Sequence, residues 1–126
     1  MKVSSAGLYA DGAAQTAAHA IGALAGLGIR SRPKRATPLK RKTVEAADLI
    51  LAMTGDQRER LAGIWPGLEG KTVVISEFSG SGAGEITDPI GGPLEDYVEC
   101  AARLLAEAKL IAPRLGTILE RRRSAR

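Results

Sequence analysis

The chain has 126 residues, a net charge of +4, 44% hydrophobic residues and only 3% aromatic ones. That length allows one ordinary core and argues against a second domain, and the scarcity of aromatic residues makes it a core of Ala, Leu, Ile and Val. No run approaches the roughly 18 apolar residues of a membrane span, residues 1–20 show no basic stretch followed by an apolar one, and one cysteine with one histidine excludes an internal disulfide and a zinc cluster. The expectation is a cytoplasmic protein that uses neither metal nor cofactor.

Lys2-Val3-Ser4-Ser5-Ala6 reads as a short strand that reaches Gly7 at once. Past a turn at Gly12, Thr16, Ala17, Ala20, Ile21, Leu24 and Leu27 recur at helical spacing until Gly28 ends the helix as its C′ residue. His19 falls opposite that stripe and reads as an exposed helix residue, not a ligand. Residues 30–42 then carry Arg30, Arg32, Lys34, Arg35, Lys40, Arg41 and Lys42 without an acid, and Pro33 and Pro38 argue against regular structure there. A second basic cluster, Arg121-Arg122-Arg123-Ser124-Ala125-Arg126, ends the chain. Such clusters can hold phosphates or nucleic acid, but with no interleaved aromatic residues to stack bases they read as a solvated loop and a frayed tail.

Residues 43–47 suggest a short helix. Leu49-Ile50-Leu51-Ala52-Met53, ended by Thr54-Gly55, is a continuous apolar run of the kind found in parallel strands buried on both faces. Residues 56–64 are helix-prone, with Leu61 and Ile64 as apolar contacts, until Trp65-Pro66-Gly67 stops them; Trp65 suits packing beside that turn. Residues 72–76, Thr-Val-Val-Ile-Ser, form the second buried strand. The glycine-rich residues 79–84 have no periodicity and no following Lys-Ser/Thr, and so read as a flexible rim, not a phosphate cradle. From Pro93 onward, Leu94, Tyr97, Val98, Ala101, Leu104, Leu105, Ala108 and Ile111 line one face of a helix of about five turns that stops near Pro113. Cys100 borders that face as a semi-buried packing residue, without the glycine loop, helix start or basic neighbour that would hold a thiolate.

Strands alternating with helices give an α/β domain with an open parallel sheet, whose site should lie at the carboxyl ends of the strands, near Gly7, Thr54 and the loop that carries Asp88. In Glu85-Ile86-Thr87-Asp88-Pro89-Ile90-Gly91-Gly92-Pro93, the proline after Asp88 forces an extended conformation and projects its side chain from the loop. Two glycines then allow a sharp turn, and Pro93 suits the first turn of a helix. A carboxylate held in this way suits a general acid or base, and equally a loop-to-helix joint.

In their order and spacing, Ser5-Ala6-Gly7 after a strand, Ala47-Asp48-Leu49-Ile50-Leu51-Ala52-Met53-Thr54 and Asp88-Pro89-Ile90-Gly91-Gly92 resemble the low-molecular-weight protein tyrosine phosphatases, including their bacterial arginine phosphatase branch. The resemblance covers about residues 3–111. It implies a three-layer fold with helices flanking the sheet and a phosphorylated protein as substrate. It also implies Asp88 as the general acid that protonates the leaving group and then helps water release a cysteinyl phosphate. It further implies a first, central strand, a Cys-x5-Arg-Ser loop and a first helix ahead of Ser5-Ala6-Gly7, none of which this chain contains. Cys100, with no matching arginine after it, does not replace that loop.

The expectation is therefore a truncated phosphatase-like domain over residues 1–112 with a basic tail over 113–126, from a misplaced start codon or a decayed gene. It should be inactive as written, with a seam in its sheet unless the first strand crosses to pair with the third. The alternative is a non-catalytic module that holds acidic or phosphorylated partners through the basic loop 30–42. A related arsenate reductase would need several reactive cysteines. Phosphotyrosine members place aromatic residues on the rim, including directly after Asp-Pro. Here the rim candidates are Tyr9 and Ile90, which leans toward the arginine phosphatase side.

Overall fold

The computed structural model of the chain describes residues 2–8, 18–32 and 37–124. Contacts divide it into two compact units, Lys40–Ile86 with Ala106–Arg126, and Lys2–Leu39 with Thr87–Leu105.

In the first unit, the two apolar runs form a parallel sheet: β1 (Ile50–Ala52) pairs with β2 (Thr72–Val74), Leu51 opposite Val73. Both strands are shorter than the runs that announce them. β1 is not buried on both faces, since Leu51 remains 36% exposed on a strand that, among the described residues, pairs with β2 alone. Ile75 and Ser76, expected to extend β2, instead open a short helix α4 (Ile75–Ser79), capped by Gly80 in the left-handed conformation (φ +73°). Helix α2 (Arg41–Ala46) follows the 43–47 expectation closely, and the Lys71 ammonium donates to the Glu45 and Ala47 carbonyls at its C-terminal end (3.1 and 2.8 Å). Helix α3 (Gly55–Ile64) buries Leu61 at 4% exposure, but Ile64, in its last turn, stays 53% exposed.

The glycine-rich segment has no regular structure, as expected, yet it is tied down by a chain of hydrogen bonds. The Ser81 amide donates to Ser79 Oγ (3.1 Å), the Ala83 amide to Ser81 Oγ (3.2 Å), and the Ser81 hydroxyl to Glu107 Oε1 (2.7 Å). Glu107 is only 2% exposed and occupies a position on the buried side of the last helix, where the apolar stripe predicts Ala108.

That helix, α5 (Leu94–Ser124), does not stop at Pro113 but runs 31 residues through it. A proline inside a helix removes one intrahelical bond and normally kinks or ends it. Here the next residue supplies a tertiary anchor, because Arg114 Nη1 donates to the Phe78 carbonyl in α4 (2.6 Å). Residues 113–124, expected as a stop and a frayed tail, are helical. Among the described residues no helix is long and apolar enough to cross a membrane.

The second unit is built on helix α1 (Ala18–Gly26) and the first turns of α5. Ala23, Tyr97 and Ala101 form its buried cluster, with Ala20 and Leu24 packed against them. Gly28 (φ +79°) ends α1 as its spacing predicts: the Ile29 amide reaches the Leu24 carbonyl (2.9 Å) and the Gly28 amide the Ala25 carbonyl (3.0 Å), the Schellman pattern. Gly12, Thr16 and Ala17 lie outside the described residues. His19 is exposed as expected, its ring 5.6 Å from that of Tyr97. Residues 2–6, however, are not a strand. Lys2, Ser4 and Ser5 offer no apolar face, Val3 is exposed, and among the described residues the pairing nearby is one parallel bridge between Gly7 and Pro38.

Truncating Leu61 to Ala is expected to destabilise the protein by about 2–5 kcal/mol, and Ile64→Ala by about 1 kcal/mol or less, when urea midpoints are compared. Ser81→Ala, which leaves a buried carboxylate oxygen without its hydroxyl donor, should cost about 1–3 kcal/mol and make residues 79–84 more readily cut in limited proteolysis.

Candidate functional site

Thr54 caps α3: its Oγ1 accepts from the Gln57 amide (3.2 Å) while Gln57 Oε1 accepts from the Met53 amide (2.9 Å). This resembles a capping box, with the Gln57 side chain reaching the amide of Met53, one residue before the cap, and Thr54-x-x-Gln57 is the matching spacing in the sequence. The Gly55 amide donates to Glu85 Oε2 (2.9 Å), and the buried Ile86 donates its own amide to the Met53 carbonyl (3.4 Å). Glu85 and Gln57 were not legible as partners of this turn, although the Thr–Gln spacing was there to be read. The first donors of α3 are thus taken by the protein's own side chains, and Thr54 serves as a cap.

Two residues beyond Ile86, Asp88 is exposed. Its Oδ1 accepts from the Ile90 amide (3.0 Å), an Asx turn that limits rotation of the carboxylate. The Pro89 carbonyl accepts from the Gly92 amide (2.9 Å), and Gly91 takes φ +78° at the third position, which makes residues 89–92 a type II turn. Both expectations for this stretch hold: the proline and glycines build a tight turn, and α5 begins at Leu94, directly after Pro93. Ile90, the rim candidate, projects with 79% of its surface open. Tyr9, the other rim candidate, lies outside the described residues. Gly7 shares a unit with Asp88, whereas Thr54 belongs to the other unit.

Cys100 is half-buried on α5, as its place beside the apolar face predicts. Burial, and secondarily the negative charge of Asp88, push its thiol above the usual range, while Arg103 pulls in the opposite direction. Arg103 is a basic neighbour that the sequence reading passed over, although its position three residues on is the helical spacing that brings side chains together. Among the described residues no three or more His, Cys, Asp or Glu side chains are grouped to hold a metal ion. An exposed carboxylate with one oxygen held by a backbone amide can give up or take a proton from a ligand in front of the loop, which is acid–base chemistry.

A sequence profile of the family described as low molecular weight phosphotyrosine protein phosphatase matches residues 1–122. The chain is 30% identical over 117 residues to a protein-arginine-phosphatase of Geobacillus stearothermophilus, a match covering 93% of this chain and 78% of that one. The solved structure of an arginine phosphatase from the same organism superposes with a TM-score of 0.84 at 30% identity, over 92% of this chain and 75% of that one. A low molecular weight protein tyrosine phosphatase of T. tengcongensis superposes with a TM-score of 0.81 at 30% identity, over 88% and 76% of the two chains. The parallel α/β architecture and a match along nearly the whole sequence agree, and the chain belongs to the low molecular weight phosphotyrosine protein phosphatase family.

Proposed function

We propose that this chain carries the acid of a protein phosphatase, with Asp88 as proton donor to the leaving group and a phosphorylated protein as substrate, phosphoarginine being favoured over phosphotyrosine. The observation that carries this is the Asp88–Pro89 turn: an exposed carboxylate, restrained by the Ile90 amide, immediately before a long helix. When a thiolate attacks phosphorus, the bond to the leaving nitrogen or oxygen breaks and that atom takes the carboxyl proton. When water then attacks the cysteinyl phosphate, the carboxylate takes the proton that water loses. Preference for phosphoarginine is supported by Ile90, which stands exposed where phosphotyrosine members carry an aromatic rim residue, and by the activity of the arginine phosphatase relatives.

The nucleophile is a separate matter. No Cys-x5-Arg occurs in these 126 residues, and the sixth residue after Cys100 is Ala106. The raised thiol of Cys100 also disfavours the thiolate that attack requires. We therefore assign no turnover to this polypeptide by itself. Purified chain should release no more phosphate from p-nitrophenyl phosphate or a phosphoarginine peptide than its Asp88→Asn variant. In a polypeptide that also includes a Cys-x5-Arg-Ser loop encoded in frame upstream, Asp88→Asn should lower kcat by about 10²–10⁴-fold. Turnover by the 126-residue chain that Asp88→Asn abolishes would reject the assignment of inactivity, and an unchanged kcat in the longer polypeptide would reject Asp88 as the acid.

A second function, as a binding module for acidic or phosphorylated proteins, is favoured by the exposure of Arg30, Arg32, Lys40 and Lys42 in an acid-free stretch. Reversing charge at Arg32 and Arg35 should then weaken capture of an acidic phosphopeptide by about tenfold at low ionic strength, and less at high salt. A titration showing the same Kd for both proteins would rule this out.

A further inference from the structure

We infer that Gly92 is a positioning residue for Asp88, fixing the direction in which its carboxylate is held; the catalytic meaning of that role rests on Asp88 being the acid. The Asx turn and the type II turn share the Pro89–Ile90 peptide. One is closed by the Ile90 amide on Asp88 Oδ1 (3.0 Å), the other by the Gly92 amide on the Pro89 carbonyl (2.9 Å), so opening either turn reorients the other.

The two glycines of this turn are required for different reasons. Gly91 has a positive φ, a conformation that side-chain-bearing residues adopt at a cost whatever surrounds them. Gly92 has no such backbone requirement; it is demanded by its neighbours. A β-carbon at Gly92 would stand 3.0 Å from the Pro89 carbonyl oxygen, 2.6 Å from Asp96 Oδ2 and 3.4 Å from Asp96 Cβ. Asp96 lies in the first turn of α5, and its carboxylate can swing aside. The Pro89 oxygen would have to give by a few tenths of an ångström, and it is the acceptor that closes the turn, so that movement comes at the expense of the turn. A side chain at position 92 therefore pushes the turn open from the helix side, rotates the Ile90 amide and releases Asp88 Oδ1. Gly92 keys the acid loop onto the start of α5, and all of these residues belong to one compact unit.

The test is a pH titration of the Ile90 amide resonance in isotope-labelled chain. Ile90 should follow ionisation of Asp88 in the unaltered protein and lose that response in Asp88→Asn. Gly92→Ala should also lose it while the resonances of Tyr97 and Ala101 stay in place. Asp96→Ala, which removes only the movable neighbour, should keep it, and the double variant Gly92→Ala/Asp96→Ala should behave like Gly92→Ala. A Gly92→Ala chain that is less stable but retains the Ile90 titration, or a double variant that recovers it, overturns the inference. Should Gly92→Ala alone not fold, the double variant, freed of the closer obstruction, carries the same two outcomes. The readout is a resonance, not turnover, so it stands or falls separately from the phosphatase activity.

Discussion

Four hydrogen bonds at the end of β1 organise the unit that contains the sheet. Met53 donates its amide to Gln57 Oε1 and accepts at its carbonyl from the Ile86 amide, Thr54 Oγ1 accepts from the Gln57 amide, and Glu85 Oε2 accepts from the Gly55 amide. Within three residues the chain ends a strand, starts a helix and receives a segment thirty residues further along. Helix starts leave amides without intrahelical partners, and a buried start must find them elsewhere. At the partly exposed start of α3, Glu85 meets part of that demand for the Gly55 amide.

Placing Asp88 on a turn and not within a helix has chemical consequences. A carboxylate on a helix flank is tied to the direction of that helix, whereas one in an Asx turn is held by the backbone two residues ahead and remains open to solvent. The same charge acts on Cys100, whose thiol is already raised by burial. Burial first, and the charge of Asp88 second, disfavour a thiolate at Cys100.

Helix α5 takes part in both units, Leu94–Leu105 in one and the residues from Ala106 in the other. Its first turns contribute Tyr97 and Ala101 to the cluster around Ala23, and Ile111 is buried further along. Between them Glu107 places a carboxylate where the periodicity calls for an apolar side chain, and the hydroxyl of Ser81 meets it. Burying a carboxylate is costly unless it is hydrogen-bonded, so the glycine-rich segment and this helix position constrain one another. The same helix continues through Pro113, and the next residue, Arg114, donates to the Phe78 carbonyl in α4.

Features that depend on neighbours in the chain were open to reading from the residues alone. The Gly28 cap of α1, helix α2, the strand character of two short apolar runs, and the Asp88-Pro89-Ile90-Gly91-Gly92 turn follow from φ preferences, periodicity and capping geometry, which act over a few residues. The order of the motifs was enough to place the family. What only the tertiary structure decided lies where the partner is far away in sequence. Residues 2–6 have the composition of a weak strand but find no ladder, and Ile75 and Ser76 are β-prone yet turn into α4. Leu51 and Ile64 are apolar yet exposed, and Pro113 sits inside a helix. In each case local propensity, worth about 1 kcal/mol or less per residue for ordinary side chains, is overruled by burial, or its absence, and by hydrogen bonds to atoms dozens of residues away. The sequence by itself determined the locally specified features, the Gly28 cap, helix α2 and the turn that holds Asp88; the tertiary structure decided where strands end, where α5 stops and which apolar residues find a partner, because a contact requires two surfaces and a local pattern describes only one.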